Sequence, residues 1–165
     1  MKTLLIVYCS MTGGTAQLAQ AALRGATTEA GVTTHLLQAA DAMPDDVLAA
    51  DGYLFATPEN LAAIAGLMKD FFDRCYYPAL ERIQGRPYAT LVCAGSDGSQ
   101  AARQMARIAT GWRLNAVAEP LIVCTHAQTP AQILAPKRIA APALLQAEEL
   151  GEQRHQVRTA EGLAH

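Results

Sequence analysis

The chain opens with a short uncharged run that leads into a turn of small and hydroxyl-bearing residues. Residues 4–9 carry no charge and little polarity, which is typical of a strand buried on both faces of a sheet. Residues 10–15, SMTGGT, follow at once. The next segment is rich in Ala, Leu and Gln and contains no proline, which indicates a helix. The pattern therefore predicts a strand, a tight turn and a helix in succession.

The turn between this strand and helix has the composition of an anion site. A helix N-terminus offers unpaired backbone N–H groups and a partial positive charge. Ser10, Thr12 and Thr15 add hydroxyl donors, and Gly13 and Gly14 allow the backbone to approach a ligand closely. The turn contains no Lys or Arg, so we expect amides and hydroxyls alone to hold a phosphate there. A plain helix cap explains the turn equally well at this stage.

Strand and helix patterns alternate along the rest of the chain. After the first strand, the sequence predicts four more, at residues 32–38, 52–56, 88–94 and 117–125. Pro120 cannot donate to a ladder and places the last of these strands at a sheet edge. Five strands alternating with helices predict an α/β fold, in which a parallel sheet lies between two layers of helices. Right-handed crossovers favour the strand order 2-1-3-4-5.

Helices are predicted between these strands and after the last one. Residues 57–60, TPEN, are expected to form a turn that leads directly into a long helix. One face of that helix would carry apolar residues at a 3.6-residue period: Leu61, Ile64, Met68, Phe71, Phe72 and Cys75. Residues 129–132 have the pattern of a capping box. A last helix is expected at about residues 142–157, followed by a frayed tail from about residue 158.

Composition excludes several classes of protein. The chain has 165 residues, enough for one domain over residues 1–165. Its net charge is −2 and it has no basic block, which argues against a nucleic-acid partner. No apolar run reaches the roughly 20 residues that span a bilayer, and the first run lacks a signal-peptide cleavage site. The four cysteines are widely spaced, which favours a reduced, cytoplasmic protein without a metal site.

The loops with unusual composition are predicted to meet. In the order 2-1-3-4-5, the carboxyl ends of strands 1, 3 and 4 lie side by side, and ligands bind at that edge. The loops that leave these strands are residues 10–15, 57–60 and 94–100, the last of which reads AGSDGSQ. This convergence favours phosphate binding over a plain helix cap.

Two of these segments resemble the flavodoxin superfamily, and within it the flavodoxin-like NAD(P)H-dependent FMN reductases and quinone oxidoreductases. The resemblance covers about residues 2–126. It rests on the Ser-x-Thr-Gly-x-Thr spacing of residues 10–15, and on the TPEN segment before a helix that contains residues 69–74, KDFFDR. It implies a flavodoxin-like three-layer sandwich, with FMN as the cofactor.

The resemblance also implies three groups of cofactor-binding residues. The 5′-phosphate would be held by Ser10, Met11, Thr12, Gly13, Gly14 and Thr15. The ring system and the ribityl chain would be flanked by Thr57, Pro58, Glu59, Asn60 and Leu61. The pyrimidine edge of the ring would face Ala94, Gly95, Ser96, Asp97, Gly98 and Ser99. FMN itself carries the electron chemistry, so no catalytic side chain is assigned.

The resemblance implies an oxidoreductase that passes electrons from NAD(P)H through FMN to a quinone-like or other small acceptor. Two alternatives stay open: a flavodoxin-type carrier between protein partners, and a flavin-binding module without turnover. Carriers of that type are strongly acidic and flank the ring with aromatics, whereas this chain has a net charge of −2 and no aromatic in residues 57–61 or 94–100. Both features favour the enzyme. The acceptor, the choice of NADH or NADPH, and a homo-oligomer are left open.

Some single residues have two interpretations. Glu59 is either a ring contact or an exposed turn carboxylate. Trp112 is expected to pack in the core rather than stack on a flavin. The cysteines are expected to be small buried apolar groups, and His126 a solvated loop residue. Tyr76 and Tyr77 are consistent with a pocket wall, a dimer surface or simple packing.

Overall fold

A parallel β-sheet forms the middle layer of the protein. The computed structural model describes the backbone of residues 1–161 and the side chains of residues 1–152. The strands in chain order are β1 (Lys2–Tyr8), β2 (Val32–Gln38), β3 (Gly52–Asn60), β4 (Ala63–Ile64), β5 (Pro87–Ala94), β6 (Asn115–Ala116) and β7 (Leu121–Cys124). β1 lies between β2 and β3, and β5 pairs with β3 on one side and with β6 and β7 on the other, all in parallel. This is the predicted order 2-1-3-4-5, with β5 as its fourth strand and β6 and β7 sharing the fifth position.

Helices cover both faces of the sheet. They are α1 (Gly14–Thr27), α2 (Pro44–Ala49), α3 (Gly66–Ala79), α4 (Ser99–Gly111), α5 (Pro130–Leu134) and α6 (Ala141–Glu161). α1 and α6 pack on the face that carries Ile6 and Leu54, and α2, α3 and α4 pack on the face that carries Val7 and Phe55. Successive residues of a strand point to opposite faces, so a strand covered on both sides must be apolar throughout. The three-layer α/β prediction is confirmed.

An aromatic cluster fills the core beneath α3 and α4. Phe55 lies 5.2 Å from Phe72 and 6.5 Å from Trp112, measured between ring centroids. The indole Nε1 of Trp112 donates to the carbonyl oxygen of Tyr76 at 2.9 Å, which satisfies the polar atom of a side chain only 1% exposed. Trp112 is therefore a core residue, as expected. Tyr76 stacks on it, whereas Tyr77 projects from the surface.

The segment after the third strand differs from the prediction. β3 continues through Asn60, and a two-residue turn at Leu61 and Ala62 connects it to the antiparallel strand β4. Residues 57–60 are thus strand rather than turn, and α3 begins at Gly66 instead of residue 61. Leu61 is fully exposed and lies on no helix face. Ile64 is buried but lies in β4, so it is not on the helix face either. Met68, Phe71, Phe72 and Cys75 are buried on α3, and the Lys69–Asp73 and Asp70–Arg74 ion pairs are present.

Side chains from elsewhere explain why the helix starts late. Ile64 N donates to the side-chain oxygen of Gln104 at 2.9 Å, and Ala65 N donates to Thr57 Oγ1 at 3.1 Å. These two amides are therefore satisfied outside a helix. The local sequence contains the apolar spacing of a helix but no information about these distant partners.

The last third of the chain follows the prediction in outline. Of the predicted fifth strand, residues 117–125, only Leu121–Cys124 form a strand, which begins after Pro120 and lies at an edge of the sheet. The capping box is confirmed, because Gln132 N donates to Thr129 Oγ1 at 3.2 Å and α5 begins at the next residue after Thr129. α6 runs from Ala141 to Glu161, and the remainder of the predicted frayed tail, residues 162–165, lies outside the described residues. Over residues 1–161, the helices lack the combination of length and apolar character that crossing a membrane requires.

Candidate cofactor site

The turn between β1 and α1 is held by hydrogen bonds to the hydroxyl of Ser10. Ser10 Oγ accepts hydrogen bonds from the amides of Gly13 and Ala16, each at 3.2 Å. Gly13 is the N-cap of α1 with φ 94, a left-handed conformation that favours glycine. Gly14 is buried against β5, and a Cβ atom at this position would lie 2.8 Å from Cys93 Sγ. The turn is therefore held tightly at the positive end of a 14-residue helix.

The three predicted loops meet at a cleft of about 590 Å³ at the carboxyl ends of β1, β3 and β5. Small-molecule sites typically have volumes of about 300–1,000 Å³. The predicted residues that line this cleft are Ser10, Met11, Thr12, Gly14, Thr15, Pro58, Glu59, Asn60, Leu61, Ala94, Gly95 and Ser96. The convergence inferred from the strand order is thus present in the structure.

The other predicted site residues are not part of the lining: Gly13, Thr57, Asp97, Gly98 and Ser99. Thr57 is fully buried, and its hydroxyl donates to the carbonyl oxygen of Pro58 at 2.9 Å while it accepts from Ala65 N. Gly98 is the N-cap of α4 and Ser99 begins it. Asp97 accepts from Ser99 N at 3.2 Å, and the hydrogen bonds from Ser99 lower the pKa of this exposed carboxyl. These residues support the loops that form the cleft.

Glu59 links two walls of the cleft. Its Oε1 accepts from Gly98 N and its Oε2 from Ala101 N, each at 3.0 Å. Both amides belong to the N-terminus of α4, where a carboxylate is stabilised by the partial positive charge of the helix. Glu59 is therefore a helix-capping residue rather than a solvated turn residue. It fixes the end of β3 against the beginning of α4.

The far wall of the cleft comes from the segment between β7 and α6, which the sequence did not place there. It contributes Thr125, Ala127, Gln128, Ile133, Leu134 and Lys137, and further lining comes from Ala62 and Cys93. The segment is joined to β5 at its start, where Thr125 N donates to Ala94 O and His126 N to Gly95 O, each at 2.8 Å. The capping box was the one readable signal in this segment. It located α5 along the chain but not its contact with the cleft.

Lys137 brings a positive charge to a turn that was expected to have none. Its Nζ lies 3.4 Å from Thr12 Oγ1 and donates to the carbonyl oxygens of Gln132, Ile133 and Ala135 at 2.7–2.8 Å. The backbone amide of Lys137 donates to Thr12 O at 2.8 Å. The donors at this end of the cleft are thus amides, hydroxyls and an ammonium group.

The cysteine thiols near the cleft are not activated nucleophiles. Cys93 is 7% exposed, and burial raises the pKa of its thiol, an effect that the nearby Lys137 charge only partly opposes. Burial likewise raises the pKa of the Cys9 thiol. Since the thiolate is the reactive form, both thiols are protonated and inert at neutral pH. They act as small packing groups, in agreement with the sequence-based expectation.

The character of the lining changes along the cleft. Polar donors cluster where α1 begins, and exposed apolar side chains such as Met11, Leu61 and Leu134 border the rest. Among the described lining residues there is no Phe, Tyr or Trp. The cleft therefore suits a ligand with an anionic end and a flat or apolar body, and it leaves the faces of such a body unstacked by aromatic rings.

Known proteins share this architecture. A family model described as NADPH-dependent FMN reductase matches residues 40–128. A flavodoxin of Aquifex aeolicus (strain VF5) is 34% identical over 73 residues, which cover 44% of this chain and 40% of that protein. The matched region is thus less than half of the relative's length.

Solved structures show the same fold at low sequence identity. A flavodoxin from the domain Archaea superposes with a TM-score of 0.76 at 16% identity, covering 95% of this chain and 99% of that one. A WrbA-like flavodoxin from Agrobacterium tumefaciens superposes with a TM-score of 0.68 at 20% identity, covering 97% and 99% of the two chains. The flavodoxin-like fold implied by residues 10–15 and 57–74 is confirmed.

Proposed function

The chain belongs to the NADPH-dependent FMN reductase family, and we propose that it is an oxidoreductase that passes electrons from NAD(P)H through bound FMN to a quinone-like or other small acceptor. The observation that carries this proposal is the cleft. It joins a donor-rich helix N-terminus to two loops that present no aromatic side chain among the described lining residues.

The residues of the cleft fit FMN. At one end, the first turn of α1, the hydroxyls of Thr12 and Thr15 and the ammonium of Lys137 suit a phosphate dianion. Toward the other end, the lining from segments 58–62 and 94–96 is mostly small or apolar, with Glu59 and Asn60 as its larger polar residues, and it leaves room for a planar ring. The single phosphate-sized turn, without a dinucleotide glycine pattern, favours FMN over FAD.

When bound, FMN supplies the electron chemistry, including acceptance of a hydride from a nicotinamide. The protein binds and orients the cofactor. Thr15 is 2% exposed and lines the cleft at the α1 end. Glu59 holds the end of β3 against α4, and so fixes the separation of the two loops proposed to flank the ring. The segment from Thr125 to Lys137 forms the third side of the cleft.

Access to the ring favours an enzyme over a carrier. Hydride transfer requires the nicotinamide to stack closely on one face of the flavin. Aromatic side chains on both faces would prevent this, and the described lining has none. A net charge of −2 also repels the phosphates of NAD(P)H only weakly. The similarity to the Aquifex flavodoxin makes electron transfer between proteins the second candidate.

Anaerobic reduction distinguishes these functions. The purified chain is loaded with FMN, freed of excess cofactor and mixed under argon with excess NADPH, and separately with NADH. We expect the visible flavin absorbance to fall with at least one of them, faster than for free FMN at the same concentration. If the flavin is reduced only after a flavodoxin reductase is added, the protein is a carrier. A chain that retains no FMN would refute the proposed cofactor.

A further inference from the structure

Lys137 lies at the end of the cleft where a phosphate is proposed to bind, although it is 125 residues from Thr12 in the sequence. Its Nζ is 3.4 Å from Thr12 Oγ1, and its Cβ lies 3.4 Å from the position that a Cβ on Gly14 would occupy. An anion that binds to Thr12 and the first turn of α1 therefore lies next to this ammonium group.

The backbone around Lys137 is joined to the turn independently of its side chain. Lys137 N donates to Thr12 O at 2.8 Å. The side-chain amide of Gln17 donates to both Lys137 O, at 2.7 Å, and Gly13 O, at 3.0 Å, while its oxygen accepts from Ile139 N at 3.0 Å. Gln17 is thus a positioning residue that connects the two segments. The ammonium is held near the turn before any ligand arrives, which lowers the entropic cost of binding one.

Among the residues whose side chains are described, Lys137 has hydrogen-bond partners but no counter-ion. Its Nζ donates to three carbonyl oxygens at the end of α5, which are dipoles and carry no net charge. Within residues 1–152, the ion pairs involve Lys2, Arg24, Lys69 and Arg74, and no carboxylate pairs with Lys137. A partly buried cation without a counter-ion is unfavourable. An anion in the cleft would remove that penalty and gain a charge-assisted contact.

We propose that Lys137 is the counter-ion of the flavin 5′-phosphate, and that its charge makes the cleft select FMN over uncharged riboflavin. This inference rests on the proposed FMN site. It adds a recognition element from the β7–α6 segment to a turn that otherwise offers amides and hydroxyls. FMN binding is then more sensitive to salt than riboflavin binding, because only the phosphate interacts with a charged group.

Flavin titration of the cofactor-free protein tests the proposal. FMN and riboflavin are titrated separately by fluorescence quenching against wild type, Lys137→Met, Lys137→Arg and Arg138→Met. We expect Lys137→Met to weaken FMN binding by about tenfold to a hundredfold, and riboflavin binding by less than about twofold. Lys137→Arg retains most of the preference for FMN. Arg138 is a neighbouring exposed cation, so its replacement leaves both affinities unchanged.

The possible failures are distinguishable. If Lys137→Met weakens both flavins equally, or neither, Lys137 has only a structural role and the inference is overturned. A wild-type protein that binds neither flavin would instead refute the proposed cofactor site. Because Nζ also holds the carbonyls of α5, the melting temperature of each cofactor-free variant is recorded. If Lys137→Met does not fold, the affinities of the wild-type protein for FMN and for riboflavin are compared at ~50 mM and ~500 mM NaCl instead. A ratio of these affinities that is the same at both salt concentrations overturns the inference.

Discussion

Replacing Gly25 with alanine tests the contact between α1 and α6. Gly25 lies in the second half of α1, where α6 crosses it. A Cβ atom at this position would lie 2.8 Å from the carbonyl carbon of Glu148, 3.0 Å from its Cα and closer still to its oxygen. Gly151 approaches Ala22 of α1 in the same way from the other helix. All the atoms met are backbone atoms, so rotation of a side chain cannot relieve the clash.

Two effects of opposite sign set the size of the change. Alanine in a helix interior is favoured over glycine by about 1 kcal/mol. Carbon atoms pack best at about 3.5–4.0 Å, so the contact with the carbonyl carbon alone requires the helices to separate by roughly 0.7–1.2 Å, and the nearer oxygen requires more. A gap of about 0.5–1 Å already loses about a quarter to a half of each contact energy. The interface buries Ala22, Ala26, Ala147 and Leu150. Overpacking costs about 1–3 kcal/mol, and a backbone clash belongs at the upper end. We expect a net loss of ~2 kcal/mol, which lowers the melting temperature by ~4–8 °C.

Thermal and urea unfolding followed by circular dichroism measure this loss. Gly66→Ala is the matched control, because Gly66 begins α3 and has no atom within 4 Å of an added Cβ. The control is expected to remain within about 0.5 kcal/mol of wild type. If Gly25→Ala is as stable as wild type or more stable, helix propensity alone accounts for the change in stability. The close approach of α1 and α6 would then be incorrect.

Three further predictions concern single groups. Ala62 has a left-handed backbone (φ 62°) in the turn before β4, a conformation that strains alanine but not glycine. Ala62→Gly should therefore raise the free energy of unfolding, measured in urea, by ~1 kcal/mol. The control Ala63→Gly, within β4, should lower it. Glu59→Gln weakens the hydrogen bonds to two amides of α4 and should lower the free energy of unfolding by ~1–2 kcal/mol. The control Glu119→Gln, at an exposed position, should leave it unchanged. Equal effects of the two substitutions would refute the capping role of Glu59. Burial raises the pKa of Cys75 from 9.0 to about 11, so the native state holds this proton more tightly than the unfolded state. Stability should therefore fall between pH 9 and 11, by on the order of 1–2 kcal/mol more than in Cys75→Ala; parallel pH profiles would contradict this.

The layered α/β architecture could be inferred from the sequence because its signals are local. Uncharged runs such as residues 4–9 indicate strands that are covered on both faces, and the alternation of strands with helices restricts the order of the sheet. That order places the loops after β1, β3 and β5 at one edge, so most of the candidate cleft follows from connectivity alone.

The end of β3 shows where local signals are insufficient. Residues 61–68 contain apolar residues at helical spacing, but the amides of Ile64 and Ala65 bond to Gln104 and Thr57 instead. Their hydrogen bonds with these partners replace those of a first helical turn. The strand consequently continues, and Leu61 is exposed at the rim of the cleft instead of lying on an apolar helix face.

The local sequence indicated most of the strands and helices, and where the candidate anion-binding turn lies. Only the tertiary structure decided what lies opposite that turn. Lys137 reaches Thr12 because Gln17 and the backbone join two segments that are far apart in the chain. Glu59 similarly caps a helix that begins 40 residues later. Periodicity and propensity describe neighbours along the chain, whereas these contacts depend on how packed elements bring distant groups together.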